Sequence, residues 1–486
     1  MNRNERFLHI AEELKPRLFT RTVTRSADVS LGQGDALTLD FGEHLVGYVT
    51  LRVETVGSHP DAPLWLEVQF AEREQELQER VEDYSGWVSP SWVQQERIHL
   101  DRFPGELRFF RRYAFRYLKI RVLGISEKYR VSRVQALCEA VTSADQKGLL
   151  PYRSKDEALQ RLDTIACHTL RDCMQDVFED GPKRDRRLWL GDLRLQALVN
   201  GQTYRQFDLV KRCLYLFAGS TLESGQVSAA VFTDPEIEAD DTEMFDYSLL
   251  FVPALLDYFE ATGDRETLSD LWPTAKRQIE LANAAFDERG IVLDSDRLGW
   301  CFVDWNLALN KQASAQGIYL YCEKAAARIA ALLGDTEGER AFLQDYEAKR
   351  RAALRYLYDE EKGVFVSGAD RQISIASQVW SILGGVTNDG GVLDRAKATP
   401  DAIGMVTPYM YHHYVQALID VGRREQALSV LRDYWGGMAA AGADTFWELY
   451  NPDNPNESPY GGTIVLSYCH AWSCAPAYFL RRYFVE

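Results

Sequence analysis

The sequence predicts α and β domains in series, a β-sandwich followed by a toroid of helical hairpins. Three observations carry this fold class. Apolar residues alternate with period two over the first third of the chain, the period becomes 3.6 from about Ala144, and short Gly-containing turns recur between the helical segments. At 486 residues the chain exceeds what one hydrophobic core supports and suits two domains, set here at 1–145 and 146–486.

The opening stretch, MNRNERFLHIAEELKPRLF, is charged and amphipathic and predicts a short helix attached to the first domain. Strands are expected at 36–40, 47–53, 64–70, 97–100, 116–122 and 129–138, with the turn clusters GSHPDAP and RFPGE between them. About eight short strands of this texture make a sandwich. Residues 72–92 break the alternation. Rich in Glu and Gln, then carrying Trp87 and Trp92, they read either as a functional long loop or as an exposed hairpin insertion.

In the second domain Leu159, Leu162, Ile165, Ala166, Leu170 and Met174 fall at helical spacing behind a capping Ser154. Similar segments are expected at 192–218, 243–262, 266–287, 311–333, 337–357, 373–384, 409–421, 424–440 and 463–482. The turns ATGDRE, LLGDTE and DVGRRE resemble one another, as a repeated helical hairpin requires. In a ring of such hairpins the inner helices surround a funnel, and the long connections line its mouth.

Composition narrows the function classes. A net charge of −17 and a pI near 5.1 argue against nucleic acid and anionic membrane as partners, since both are bound through clustered Lys and Arg. The eight dispersed cysteines form no CxxC pair and suit buried thiols in a reducing compartment. With no secretory h-region at the start and no run long enough to span a bilayer, a cytoplasmic location is expected. Nucleotide-binding, zinc-protease and serine-hydrolase motifs are missing, and the adjacent His412 and His413 point to different helix faces, so no metal site is expected.

The unusual residues sit on the long connections. DGPKRDRRLWLGD, at 180–192, packs three carboxylates, four cations and Trp189 into thirteen residues. The connections 232–246, 293–306 and 444–460, followed by SYCHAWS at 467–473, again combine carboxylates with Trp or Tyr. Paired carboxylates with aromatic rings suit glycoside hydrolysis: one carboxyl protonates the leaving oxygen, a second attacks or activates water, and indole faces cover the C–H side of a sugar. Bland readings stand beside this one, namely core packing for Trp305 and Trp447, N-capping for Asp180 and Asp192, and a satisfied buried imidazole for His470.

DGPKRDRRLWLGD, FVDW at 302–305, DTFWE at 444–448 and CHAWS at 469–473 occur in the order of four motifs of glycoside hydrolase family 78, the α-L-rhamnosidases, which this sequence resembles over most of its length. YAFRYLKI at 113–120 is similar to the family's strand-rich domain. The resemblance implies a β-sandwich on an (α/α)6 barrel of six-hairpin glycosidase type. It further implies inverting hydrolysis of terminal α-L-rhamnosides and no catalytic cofactor; the cytoplasmic reading favours small rhamnosides as substrates, and a homodimer is left open. By the same resemblance Glu448 matches the general base, and Asp180, Arg184, Trp189, Asp192, Asp304, Trp305, Trp447 and His470 match substrate-binding positions. The departure is at the general acid. Many members follow Arg-Asp with Glu, whereas here Arg186 follows Asp185, and the resemblance leaves Asp185 as the acid because the loop's other carboxylates match sugar-holding positions. Arg184 and Arg186 favour an ionised neighbour, so burial or a like charge must oppose them in that role. The same departure keeps open an exo-glycosidase of other sugar specificity and a non-catalytic sugar-binding protein.

Overall fold

The computed structural model describes residues 2–485. The first domain holds seven strands, β1 (Phe19–Leu31), β2 (Ala36–Gly57), β3 (Leu64–Ala71), β4 (Gln95–Leu100), β5 (Gly105–Arg108), β6 (Tyr113–Gly124) and β7 (Tyr129–Thr142). They pair antiparallel in the order β1-β7-β2-β6-β3-β4, with β5 also on β2. The segments expected at 36–40 and 47–53 are one strand of 22 residues. It bends at an irregularity between Asp40 and Leu45, where Gly42 takes a φ of 82° that a residue with a Cβ adopts only at a cost. On both sides of the bend, up to Gly47, β2 pairs with β6, and from Gly47 onward with β7, joined over Thr50–Val53 by β5. The sheet thereby folds into two layers, which close on a core of Val49, Leu51 and Val134 from one and Val68, Phe70, Leu118 and Ile120 from the other. The result is sandwich-like, with fewer and longer strands than expected.

The helical domain is a ring of six pairs. Five are hairpins: Leu190–Gln202 with Phe207–Gly219, Phe245–Thr262 with Arg265–Ala282, Gln312–Leu333 with Thr336–Tyr356, Ile375–Leu383 with Gly391–Ala398, and Pro408–Asp420 with the helical run from Arg424 to Ala440. The sixth closes the ring, Ala475–Tyr483 packing on Glu157–Cys173. Two of the short turns share one mechanism. Gly263 and Gly334 end their helices at φ values of 72° and 83°, and the next residue, Asp264 or Asp335, caps the following helix by accepting from the backbone N–H three positions on.

Three expectations about helices need correction. The segment 192–218 is two helices, broken at Thr203–Gln206, where Arg205 has a φ of 56°. Only the end of 463–482 is α-helical, the rest being loop with short 3-10 turns. Asp156, rather than Ser154, caps Glu157–Cys173. The opening helix Arg3–Glu13, expected with the sheet domain, packs instead on the helical ring: Phe7 meets Tyr215 edge-on at 5.4 Å, and Arg212 donates to the Ala11 carbonyl. All eight cysteines are buried and free, and among the described residues no helix is long and apolar enough to cross a membrane.

Candidate active site

The loop 180–192 is tied from inside by its first residue. Asp180 Oδ2 accepts from the Asp185 N–H and Oδ1 from the Arg187 N–H, both at 3.1 Å, while its own N–H donates to the Arg187 carbonyl at 3.0 Å. These bonds turn Arg184 and Asp185 toward the centre of the ring. Leu188–Trp189 then pairs with Ala230–Phe232, and Trp189, not Asp192, takes the N-cap position of the next helix. Asp192 therefore sits in the first helical turn with its carboxyl inward. The helix can start here because Gly191 lies against Tyr247, whose ring atoms would stand 2.5 Å from a Cβ.

The second half comes from 444–473. Glu448 and Ser467 exchange bonds: the Glu448 N–H donates to the Ser467 carbonyl at 3.0 Å, and the Ser467 N–H donates to Glu448 Oε2 at 3.2 Å. One guanidinium joins the halves. Arg184 donates to Glu448 Oε2 at 2.5 Å, to Asp185 Oδ1 at 3.2 Å and to the Val465 carbonyl at 2.8 Å, with its plane 4.1 Å over the Tyr460 ring. Tyr460 in turn donates its hydroxyl to Glu448 Oε1.

Above this bridge lies a cavity of about 240 Å³. Asp180, Arg184, Asp185, Trp189, Asp192, Trp305, Glu448 and His470 all line it, so the structure gathers these expected site residues from positions up to 290 apart in sequence. Its deep end is polar and unsatisfied. Asp192 Oδ1, His470 Nδ1 and Trp305 Nε1 are buried without a hydrogen-bond partner, and His470 stands 3.7 Å from Asp192 and 3.8 Å from Asp180, too far for good bonds. Burial, with Asp185 beside Asp180 and Asp180 beside Asp192, pushes both carboxyls well above the ordinary carboxylate range. Burial and the Arg184 charge hold the His470 imidazole neutral.

Two expected residues lie behind the wall. Asp304 spends its oxygens on the Val406, Thr407 and Trp305 N–H groups and the Thr407 hydroxyl, anchoring the start of Pro408–Asp420, and burial raises its carboxyl to about 6. Trp447 is buried under the Arg73 guanidinium, 4.0 Å away, and packs edge-on to Tyr450 and Tyr468. Successive side chains around Glu448 point to opposite sides, so Trp447 faces the core. Arg186, which stands where the family pattern has Glu, turns away and donates to the carbonyls of Pro182 at 2.9 Å and Arg112 at 2.7 Å. It therefore does not bear on Asp185 as its sequence position suggests.

Several lining residues were not anticipated. Tyr460 and Trp472 lie within connections already marked by their acidic and aromatic content, whereas Tyr247 reads from sequence as an ordinary core residue of Phe245–Thr262. The loop 72–92 decides between its two readings by where it packs. Glu76 receives the buried Lys183 ammonium at 2.5 Å, Glu72 Oε2 accepts from the Tyr468 N–H at 2.6 Å, and Glu79 accepts from the N–H groups of Thr463 and Ile464. It is a brace for both connections that line the cavity, not a solvated hairpin.

Both parts of the chain match a known family. Residues 12–140 match the glycosyl hydrolase family 78 alpha-rhamnosidase N-terminal domain, and residues 151–484 the bacterial alpha-L-rhamnosidase 6 hairpin glycosidase domain. The chain belongs to the family 78 α-L-rhamnosidases. Among solved structures it is similar to a rhamnosidase from Klebsiella oxytoca with rhamnose bound, at 44% identity and a TM-score of 0.95, covering 100% of this chain and 99% of that one. It resembles the family 78 rhamnosidase of Bacillus sp. GL1 at 24% identity and a TM-score of 0.78, over 93% of this chain and 47% of that one. The Streptomyces avermitilis α-L-rhamnosidase complexed with L-rhamnose follows at 16% identity and 0.71, over 96% of this chain and 44% of that one. The last two likenesses concern the fold alone. No curated protein sequence matches. In this rhamnosidase the six-hairpin barrel carries most of the cavity lining, and the sheet domain contributes Trp87 to it.

Proposed function

We propose that the chain hydrolyses the terminal non-reducing α-L-rhamnosyl bond of small glycosides with inversion, Asp185 acting as general acid and Glu448 as general base. The observation that carries this reading is the Arg184 bridge between the two carboxyl groups at a cavity whose deep end offers the unpartnered Asp192 Oδ1 and His470 Nδ1. One guanidinium between two carboxyls spaces them by roughly 5–8 Å, which overlaps the interval of about 6.5–9.5 Å that leaves room for a water. Sugar hydroxyls would complete Asp192 and His470, and Trp189 and Trp305 would cover the ring. Glu448, oriented by Tyr460 and Ser467, takes a proton from water as it attacks the anomeric carbon. Asp185 gives its proton to the departing oxygen on the other side. With Asp180, Asp192, Glu448 and His470 buried and Trp87 and Trp300 exposed, the cavity suits single terminal residues and small, intracellularly available glycosides rather than chain interiors.

The experiment is proton NMR of the first-formed sugar from an aryl α-L-rhamnoside, with wild type, Asp185→Asn and Glu448→Gln. Initial β-L-rhamnose, with loss of turnover in both variants, is expected; initial α-L-rhamnose would overturn inversion. A second donor calls for the same test, because burial and the neighbouring Asp185 carboxyl push the Asp180 carboxyl up to about 8. Retained turnover in Asp185→Asn with loss in Asp180→Asn would move the acid role there.

A further inference from the structure

The deep end of the cavity accounts for one sugar, and the mouth has a different character. Two of the most exposed large apolar side chains of the molecule stand there: Trp87, 70% exposed, and Trp300, 53% exposed. Trp87 comes from the sheet domain, not the barrel. It is nevertheless fixed against the barrel, because its indole N–H donates to the Pro459 carbonyl at 2.9 Å and its ring lies 5.4 Å from Tyr460, the residue that holds Glu448. Trp300 sits on another connection, held where its carbonyl accepts the Phe245 N–H at 2.9 Å. Isolated exposed apolar residues are ordinary, but two indoles at the rim of one polar cavity form a platform with nothing of the protein's own stacked on its outer faces.

Burial gives the direction in which a substrate would lie. Asp180, Asp192, His470 and Glu448 are buried, the Asp185 side chain is 21% exposed, and the tryptophans are outermost. A terminal sugar at the deep end directs its leaving group past Asp185 and out between Trp87 and Trp300. Two polar groups near this exit are already committed: the Trp87 N–H to Pro459, and Arg187 to Asp240 at 3.2 Å with its guanidinium 4.4 Å over Phe232. Flat apolar faces favour a ring over a hydroxyl-rich group, since hydroxyls gain little against them.

Resting on the rhamnosidase reading, we propose that Trp87 and Trp300 form a leaving-group subsite for a planar aromatic aglycone, completed by the sheet domain. The test compares p-nitrophenyl α-L-rhamnoside as substrate with free L-rhamnose and a rhamnosyl-glucose disaccharide as competing ligands, in wild type, W87A, W87F and W300A. Expected is a rise in KM for the aryl rhamnoside of about tenfold in W87A and in W300A, with the inhibition constant of L-rhamnose within about twofold of wild type. W87F keeps a stacking face and should stay near wild type. An unchanged KM in both alanine variants, a rhamnose constant rising in step with KM, or a wild type that prefers the disaccharide would each overturn the proposal. A wild type that neither cleaves rhamnosides nor binds rhamnose would fail the proposed function itself, whereas normal cleavage with a tryptophan-insensitive KM fails this inference alone.

Discussion

His44 and His470 are both buried, at 1% and 3% exposure, yet their surroundings drive them to opposite protonation states. Burial disfavours charge on His44, but Cys469, Asp172 and Glu72 overcome it and raise its pKa well above the ordinary value; Nδ1 lies 2.7 Å from Asp172 and Nε2 3.1 Å from Glu72. Around His470, burial and then Arg184 act in the same direction, and the ring stays neutral with Nδ1 unpartnered. The first histidine belongs to a buried chain at the domain boundary that runs Arg171, Asp172, His44, Glu72, Lys183, Glu76, every member paired with a neighbour. The second belongs to the cavity. Paired groups hold the frame, while unpaired groups keep their bonding capacity for a ligand.

Substitutions can break this contrast from either side. The largest effect is expected from Glu448→Gln, which should lower turnover by about 10³-fold or more; it also removes a buried counter-charge from Arg184, which keeps Asp185 and the Val465 carbonyl, so thermal unfolding should shift less than in the variants that follow. Next come members of the chain. Lys183→Met or His44→Gln should cost about 3–5 kcal/mol of stability in denaturant titrations, since each leaves buried carboxylates without their cation.

The pH dependence sharpens the comparison further. His44 has a raised pKa, so its stabilising contribution is complete below the ordinary imidazole value and is lost as pH rises through its folded-state pKa. Asp172, held below the ordinary range by Arg171 and His44 despite burial, contributes above that range and loses its contribution as pH falls. Asp192 behaves oppositely to Asp172: with its pKa raised, its contribution is present in acid and lost as pH rises through the folded value. Asp192→Asn should therefore flatten the alkaline side of the unfolding profile, and an unaltered profile would count against a protonated Asp192. The smallest effect is expected from Tyr460→Phe, about tenfold in kcat, by loss of one hydrogen bond to the base.

Much of this was legible in the sequence wherever local rules decide. Period-two and period-3.6 patterns separated the domains, and Gly263-Asp264 and Gly334-Asp335 mark helix turns by their own chemistry. What escaped depends on distant partners. The run from 36–40 to 47–53 is one strand because β6 pairs with it on both sides of the bend before β7 takes over at Gly47, and the helix Arg3–Glu13 joins the ring because Phe7 finds Tyr215. In the site, adjacency misled. Trp447 neighbours the proposed base but faces the core, and Asp304 holds Val406 and Thr407, the lead-in and cap of a helix that begins 104 residues later at Pro408. Arg186 looks like a charge on Asp185 until its bonds to Pro182 and Arg112 are seen.

The most direct measurement sets the two histidines against each other, using calorimetric titration of L-rhamnose and thermal unfolding of His470→Phe and His44→Gln. His470→Phe keeps a ring against Trp472, where the centroids are 4.3 Å apart, and should weaken rhamnose binding by at least about tenfold without lowering the unfolding midpoint. His44→Gln should lower the midpoint by several degrees and still bind rhamnose when folded. Full rhamnose affinity in His470→Phe, or a His44→Gln protein as stable as wild type, would contradict the division of paired frame and unpaired site.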